Sequence, residues 1–277
     1  MPNILSMGRA FMKDGIIKAA VLAGFDEASR RLLERQAGDK GDTAIVAVNY
    51  HSTPKSSADA FRRQLQWVIS RFEVISFASF DRIMTTFNTG KPKGKLKALL
   101  TFDDGNLNNL SVAAQVLEEF DLQGLFFVVP GFHNDGRHIS AEGICELQLR
   151  GHTVGCHTMT HAGLDETTAE SLEYEIVASG RMLEEWIGAK VDTFAWTYSW
   201  NRISHDAWCL IHRHYRYCFT PCPGVILAKD SDPYMLWRTN VEADFSSERY
   251  RFMFSGLPSI IWARRRRWLE KMKNCID

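Results

Sequence analysis

The chain predicts an α/β fold, a mostly parallel sheet covered by helices, on three observations. Short apolar runs alternate with amphipathic stretches of helical length from about residue 43 onward, the pattern of repeated strand–helix units. A length of 277 residues suits one sizeable core and is common for a single α/β barrel. No internal repeat, low-complexity segment or linker divides the chain. A closed barrel and an open doubly wound sheet fit this pattern equally.

Residues 4–36 read as one or two amphipathic helices, with Asp26, Glu27, Arg30 and Arg31 breaking up the apolar positions. Thr43 to Asn49 reads as a strand, and Ala58 to Arg71 as a helix with a serine-rich start. Glu73 to Ser76 is a short strand and Ser79 to Phe87 a helix, followed by a lysine-rich loop. The apolar run Lys97 to Phe102 is a buried strand. A helix from about Asn108 to Phe120, a strand from Gly124 to Val129 and a helix from Ser140 to Arg150 come next. His152 to Gly155 is a strand. Thr167 to Ile187 forms a long helix begun by a Thr or Asp cap, with Glu170 in its first turn. Val191 to Trp196 is a strand, Ser204 to His214 a helix, Tyr217 to Thr220 a strand and Leu236 to Val241 the last strand. Glu248 onward forms a terminal helix.

Thr101-Phe102-Asp103-Asp104-Gly105 places two adjacent carboxylates where a buried strand opens into a loop. His157 and His161 follow another strand with i, i+4 spacing. An Asp-Asp-Gly alone is most often a turn, and two histidines four apart alone are often surface residues of a helix. Together, in this order and each after a strand, they are far more specific. Two imidazoles and one carboxylate with an open position form a catalytic zinc arrangement, and the second carboxylate is left free as a base. The residues point to a metal-dependent hydrolase.

Thr-Phe-Asp-Asp-Gly followed by His157-Thr158-Met159-Thr160-His161 resembles the first two motifs of the polysaccharide deacetylases, the carbohydrate esterase group that includes nodulation-factor and chitin deacetylases. Val48-Asn49-Tyr50-His51, Phe61-Arg62-Arg63-Gln64-Leu65-Gln66-Trp67, Gly124-Leu125-Phe126-Phe127-Val128 and Tyr215-Arg216-Tyr217-Cys218-Phe219-Thr220 are similar to the same family in matching order. The likeness covers about residues 43 to 245. It implies the family's distorted (β/α) barrel, usually seven-stranded, as a catalytic domain over residues 41–277 behind a helical N-terminal extension over 1–40.

The resemblance also implies roles. Asp104, His157 and His161 match the metal-binding triad, with zinc the first choice and cobalt, nickel or iron admitted by the same donors. Asp103 matches the catalytic base, which takes a proton from the attacking water. A general acid must protonate the departing amine. Common members supply that histidine near the C-terminus, but this chain has none after His214. His51 instead looks like the early acid of the circularly permuted branch, typified by deacetylases of biofilm poly-N-acetylglucosamine. Phe194-Ala195-Trp196-Thr197-Tyr198-Ser199 stands where that branch usually has aromatic-Pro-aromatic-Gly. Thr197 and Ser199 replace the proline and glycine, and Tyr198 would offer its amide to the oxyanion. Arg238 resembles an arginine that orients the base. Trp196, Tyr198 and Trp200 would share one face of an extended strand; Trp196 and Trp200 are taken as candidate sugar contacts, with core packing the default for Trp196 and Tyr198 and Trp200 the better groove residues. His152 is read as structural.

A formal net charge of zero argues against nucleic acid as a partner. No secretory pattern opens the chain, no apolar run approaches a membrane span, and six cysteines without framework spacing read as reduced thiols. These features suggest a cytoplasmic protein. Ile260-Ile261-Trp262-Ala263, Arg264 to Arg267 and Trp268-Leu269 suit either a basic helix docked on the barrel or a peripheral contact with an anionic membrane. The leading expectation is a metal-dependent N-deacetylase of an amino sugar in a polysaccharide, oligosaccharide or glycolipid precursor. Hydrolysis of another amide, or a silent carbohydrate-binding protein on the same fold, are the alternatives.

Overall fold

Seven staves close into a distorted barrel in the computed structural model, which describes residues 14–86, 95–165, 168–197 and 204–273. The strands are β1 (Ala44–Tyr50), β2 (Glu73–Ile75), β3 (Lys97–Phe102), β4 (Leu125–Val128), β5 (Thr153–Cys156), β6 (Thr193–Ala195) and β7 (Tyr217–Thr220), then β8 (Ile226–Leu227), β9 (Leu236–Trp237) and β10 (Thr239–Asn240). The sheet runs β10-β1-β3-β4-β5-β6-β7-β9. Pairing along this path is parallel throughout. β9 pairs with β7 and β10 with β1, so one extended run broken at Arg238 closes the ring. That closure excludes the open doubly wound sheet.

Strand periodicity sorts the side chains into two layers. Ile45, Ala47, Leu99, Leu125, Phe127, Ala195, Tyr217, Phe219 and Leu236 face inward and fill the barrel. Their neighbours Val46, Val48, Leu100, Phe102, Phe126, Val154, Phe194 and Cys218 face outward into the core beneath the helices. Such inner layers make a (β/α) barrel a packed core and place its chemistry at the C-terminal ends of the strands. Gly155 takes an inward position because a Cβ there would lie 2.6 Å from the Phe127 ring and 2.5 Å from Thr193 Oγ1.

The helices are α1 (Asp14–Leu22), α2 (Phe25–Lys40), α3 (Ala58–Arg71), α4 (Phe77–Thr85), α5 (Gln115–Glu118), α6 (Ala141–Leu149), α7 (Ala169–Leu172), α8 (Ser179–Ile187), α9 (His205–His214), α10 (Ser247–Phe254), α11 (Leu257–Ile261) and α12 (Ala263–Lys273). Ser76, Ser140, Thr168, Ser204 and Ser246 cap α4, α6, α7, α9 and α10 through their hydroxyls. The α4 cap moves that helix start to Phe77 from the expected Ser79. Left-handed Gly24 separates α1 from α2. The helix expected from Asn108 begins as π-helix at Asn109–Ala114, and the long helix ending at Ile187 contains a second π segment, Glu173–Ala178.

The expected single terminal helix is broken. Gly256 (φ 83°) and Pro258 end α10 and start α11. A Cβ at Gly256 would lie 2.1 Å from Leu33 Cδ1, so the approach of α2 requires glycine. Among the described residues no helix is long and apolar enough to cross a membrane, and the five described cysteines are free thiols.

Candidate active site

The C-terminal end of the barrel turns polar where the inward positions of the strands continue past the apolar layers. Asn49 and His51 extend β1, Thr101 and Asp103 extend β3, His157 follows β5, and Arg238 sits between β9 and β10. Asp104 and Gly105 turn the chain sharply after β3, both left-handed at φ 70° and 71°. Asp tolerates that conformation better than most residues, and Gly adopts it freely.

Asp103 is buried and held on three sides. Arg238 Nη1 donates to its Oδ1 at 2.7 Å and Nη2 to its Oδ2 at 2.9 Å, a bidentate pair. Asn49 Nδ2 also donates to Oδ2 at 2.9 Å. A carboxylate has about four acceptor positions, so about one remains open. Burial pushes the Asp103 carboxyl up, but Arg238, His157 and His51 outweigh it and hold the group below the ordinary carboxylate range. Arg238 is itself fully buried, donates to Thr101 Oγ1 at 3.0 Å, and lies 4.9 Å above the Phe127 ring. Arg238 shares the inward parity of Leu236, so its guanidinium enters the barrel at the seam between β9 and β10.

Asp104, His157 and His161 bring one ligand atom each within 4.8 Å of one another. His157 Nδ1 donates to the Ala195 carbonyl at 2.9 Å, which fixes the proton on that nitrogen. Burial holds its pKa down at about 4 against the pull of Asp103 and Asp104, so the ring is neutral at pH 7 and Nε2 offers a lone pair. That lone pair faces Asp104 Oδ1 at 3.6 Å and Asp103 Oδ2 at 3.8 Å. His161 Nε2 lies 3.3 Å from the same Asp104 oxygen. Burial raises the Asp104 carboxyl, but the three imidazoles prevail and hold it at about 2. Asp104 Oδ1 is buried outside hydrogen-bond geometry. An acceptor nitrogen facing acceptor oxygens suits a cation, and two nitrogens with one oxygen suit a transition metal.

His51 stands half-buried at the end of β1, where its charge acts on both carboxyls, and its carbonyl accepts Asn106 Nδ2 at 2.9 Å. His152 is a packing residue, accepting the Gly124 amide on Nδ1 and meeting Glu118 through Nε2. Trp196 corrects the expectation of a sugar-contacting face. It is 4 % exposed and packs edge-on to Phe194 in the outer core, because residues 194 and 196 share the outward parity of β6. Tyr198, Ser199 and Trp200 lie outside the described residues.

Sequence reading missed four contributors. Asn49 supports Asp103, and Asn109 Nδ2 donates to the Asp103 carbonyl at 3.2 Å. Thr197 donates its hydroxyl to the Ala162 carbonyl, so the residue standing in place of a proline ties the third-motif segment to the His161 loop. Glu175 accepts the Met159 and Thr160 amides, both at 2.9 Å. Only Asn49 carried a signal, its inward parity two residues before His51.

Solved structures share the architecture. The Streptococcus pyogenes deacetylase PplD in complex with acetate aligns at TM-score 0.65 with 20 % identity, over 77 % of this chain and 99 % of that one. IcaB from Ammonifex degensii aligns at 0.64 with 21 % identity, over 78 % and 97 %. In sequence, a chitooligosaccharide deacetylase of Azorhizobium caulinodans is 32 % identical over 90 residues, 32 % of this chain and 41 % of that protein. YxkH of Bacillus subtilis is 27 % identical over 94 residues, 34 % of this chain and 33 % of its own length. The chain thus spans less than half the length of both curated relatives. Residues 90–209 match the sequence profile described as Polysaccharide deacetylase, a stretch that holds Asp103, Asp104, His157 and His161. Over that stretch the chain is similar to the polysaccharide deacetylases.

Proposed function

We propose that the protein is a metal-dependent hydrolase that removes N-acetyl groups from an amino sugar in a polysaccharide, oligosaccharide or glycolipid precursor. The observation carrying this reading is the convergence of Asp104, His157 and His161 beside a second, clamped carboxylate at the mouth of the barrel. A divalent ion held by that triad, zinc by preference, supplies Lewis acidity toward an acyl carbonyl and lowers the pKa of water. Asp103 stays ionised at neutral pH and offers its open acceptor position to the proton of the attacking water. Arg238 keeps that carboxylate from rotating away. His51, on the next stave, returns a proton to the departing amine, the early-histidine arrangement of the permuted branch. The Tyr198 amide is assigned to the oxyanion and Trp200 to the sugar.

Metal content and acetate release test this reading together, using N-acetylglucosamine oligomers with and without added zinc or cobalt. The wild type is expected to bind about one equivalent of metal and release acetate, whereas Asp104→Ala loses both. Metal binding without acetate release would move the activity to another amide. A wild type that takes up no metal would overturn the triad assignment.

The reading extends to an anionic membrane surface at the C-terminal helices. Ile260 and Ile261 on α11 are 63 % and 53 % exposed, with Arg264, Arg267 and Trp268 exposed beside them on α12. Leu269 is buried and Arg266 donates to the Pro223 and Ser259 carbonyls, so one face of α12 docks while the other stays free. Apolar side chains flanked by arginines fit anionic headgroups. The protein is expected to sediment with phosphatidylglycerol-containing vesicles and not with pure phosphatidylcholine. Equal behaviour of the Arg264→Glu/Arg267→Glu double variant would sink the idea.

A further inference from the structure

The described residues contain two π-helical segments, and each sends side chains to one of the two loops of the site. Such segments are rare and recur at functional sites. The first starts at Asn109, which ties down Asp103. The second, Glu173–Ala178, presents Glu175 to the loop between the two histidines.

Glu175 is buried, and its hydrogen bonds go to that loop. Oε2 accepts the amides of Met159 and Thr160, both at 2.9 Å, and Oε1 accepts the Thr160 hydroxyl at 2.7 Å. The loop needs such support, because Thr158 and His161 are non-glycine residues in the left-handed region at φ 66° and 60°. Such strain persists only where the surroundings fix it. Two further contacts pin the same loop. The Gly131 amide donates to the Met159 carbonyl at 2.9 Å, where a Cβ on residue 131 would lie 2.3 Å from that oxygen. Thr197 donates its hydroxyl to the Ala162 carbonyl.

We infer that Glu175 is the positioning residue of the metal loop, a buried carboxylate that sets His157 and His161 at cation-binding separation before any cation arrives. This rests on the metal reading of the triad. Glu175 is not one of the three candidate ligands; it acts through the Met159–Thr160 backbone. Its effect therefore belongs in metal affinity, because a loop already in its bound conformation loses less entropy on binding.

The test is titration of the metal-free protein with Co2+, followed by its d–d absorption, for the wild type, Glu175→Ala, Glu175→Gln and Thr160→Ala. Glutamine keeps the contacts, since its carbonyl accepts both amides and its NH2 donates to the Thr160 hydroxyl. Its affinity is expected within about threefold of wild type, while Glu175→Ala binds about 10- to 100-fold more weakly, the range for lost outer-shell support. Thr160→Ala, at an exposed position, removes one bond and should fall between them with an unchanged unfolding midpoint. A folded Glu175→Ala variant that binds Co2+ as tightly as wild type overturns this inference alone. If that variant does not fold, Thr160→Ala at full wild-type affinity overturns it. A wild type that binds no Co2+ overturns the metal reading, and this inference with it.

Discussion

Arg238→Met is expected to destabilise the protein by about 3–5 kcal/mol, the cost of leaving a buried charge without its partner. Methionine can fill most of the volume above Phe127 and Phe219. What it cannot replace is the pair of charge-assisted bonds to Asp103, which would keep only the Asn49 amide. Adding Asp103→Asn removes the stranded charge, so the double variant should recover most of the loss. That recovery separates the ion pair from simple packing. The pH dependence has a definite sign. The folded Asp103 carboxyl lies below its ordinary value near 3.8, so its contribution is present above that pH and disappears as pH falls through the lower folded value. Without Arg238 only His157 and His51 oppose the burial of Asp103, its pKa rises, and acid destabilisation begins at higher pH. Denaturant unfolding of the wild type, the two single variants Arg238→Met and Asp103→Asn, and the double variant at pH 7 and pH 4 reads all of this. A loss under about 1 kcal/mol for Arg238→Met would show that the pair contributes little to the fold.

The sequence showed the residues on strands more clearly than those that hold them. Apolar strand runs predicted the α/β class and the family resemblance the barrel, while Asp104, His157 and His161 come together with Asp103 beside His157. Arg238 lies in a short run that reads as one strand, and only closure of the ring brings its inward side chain onto Asp103. Trp196 takes the core position that is its default rather than a sugar contact: residues 194 and 196 share a parity, and Phe194 already faces the helices. Glu175 gave no signal, since an acidic residue in an amphipathic helix is ordinarily exposed. Its contacts depend on a π segment and on a loop 15 residues away, neither of which shows as local periodicity. Thr197 looked like a loss relative to proline, whereas its hydroxyl gains a bond to the Ala162 carbonyl.

Asp103→Asn is expected to leave metal binding intact and lower the rate of acetate release by on the order of 10² to 10⁴-fold, the usual contribution of a general base. The two adjacent carboxylates make this the sharpest test of the proposed division of roles. Asp104 faces both imidazoles, and its loss should abolish metal uptake. Asp103 is turned toward Arg238 and Asn49 and is not part of the three-ligand cluster. Asparagine preserves its shape, but its NH2 would face a donor from Arg238 or Asn49, so a modest loss of stability should accompany the rate effect. Because that loss lies outside the metal cluster, metal stoichiometry should stay near one equivalent while the rate constant for turnover falls and KM changes little. Wild-type turnover in Asp103→Asn would remove the base from this carboxylate. His51 would then become the candidate for both proton transfers, since it ends the stave that pairs with the Asp103 strand.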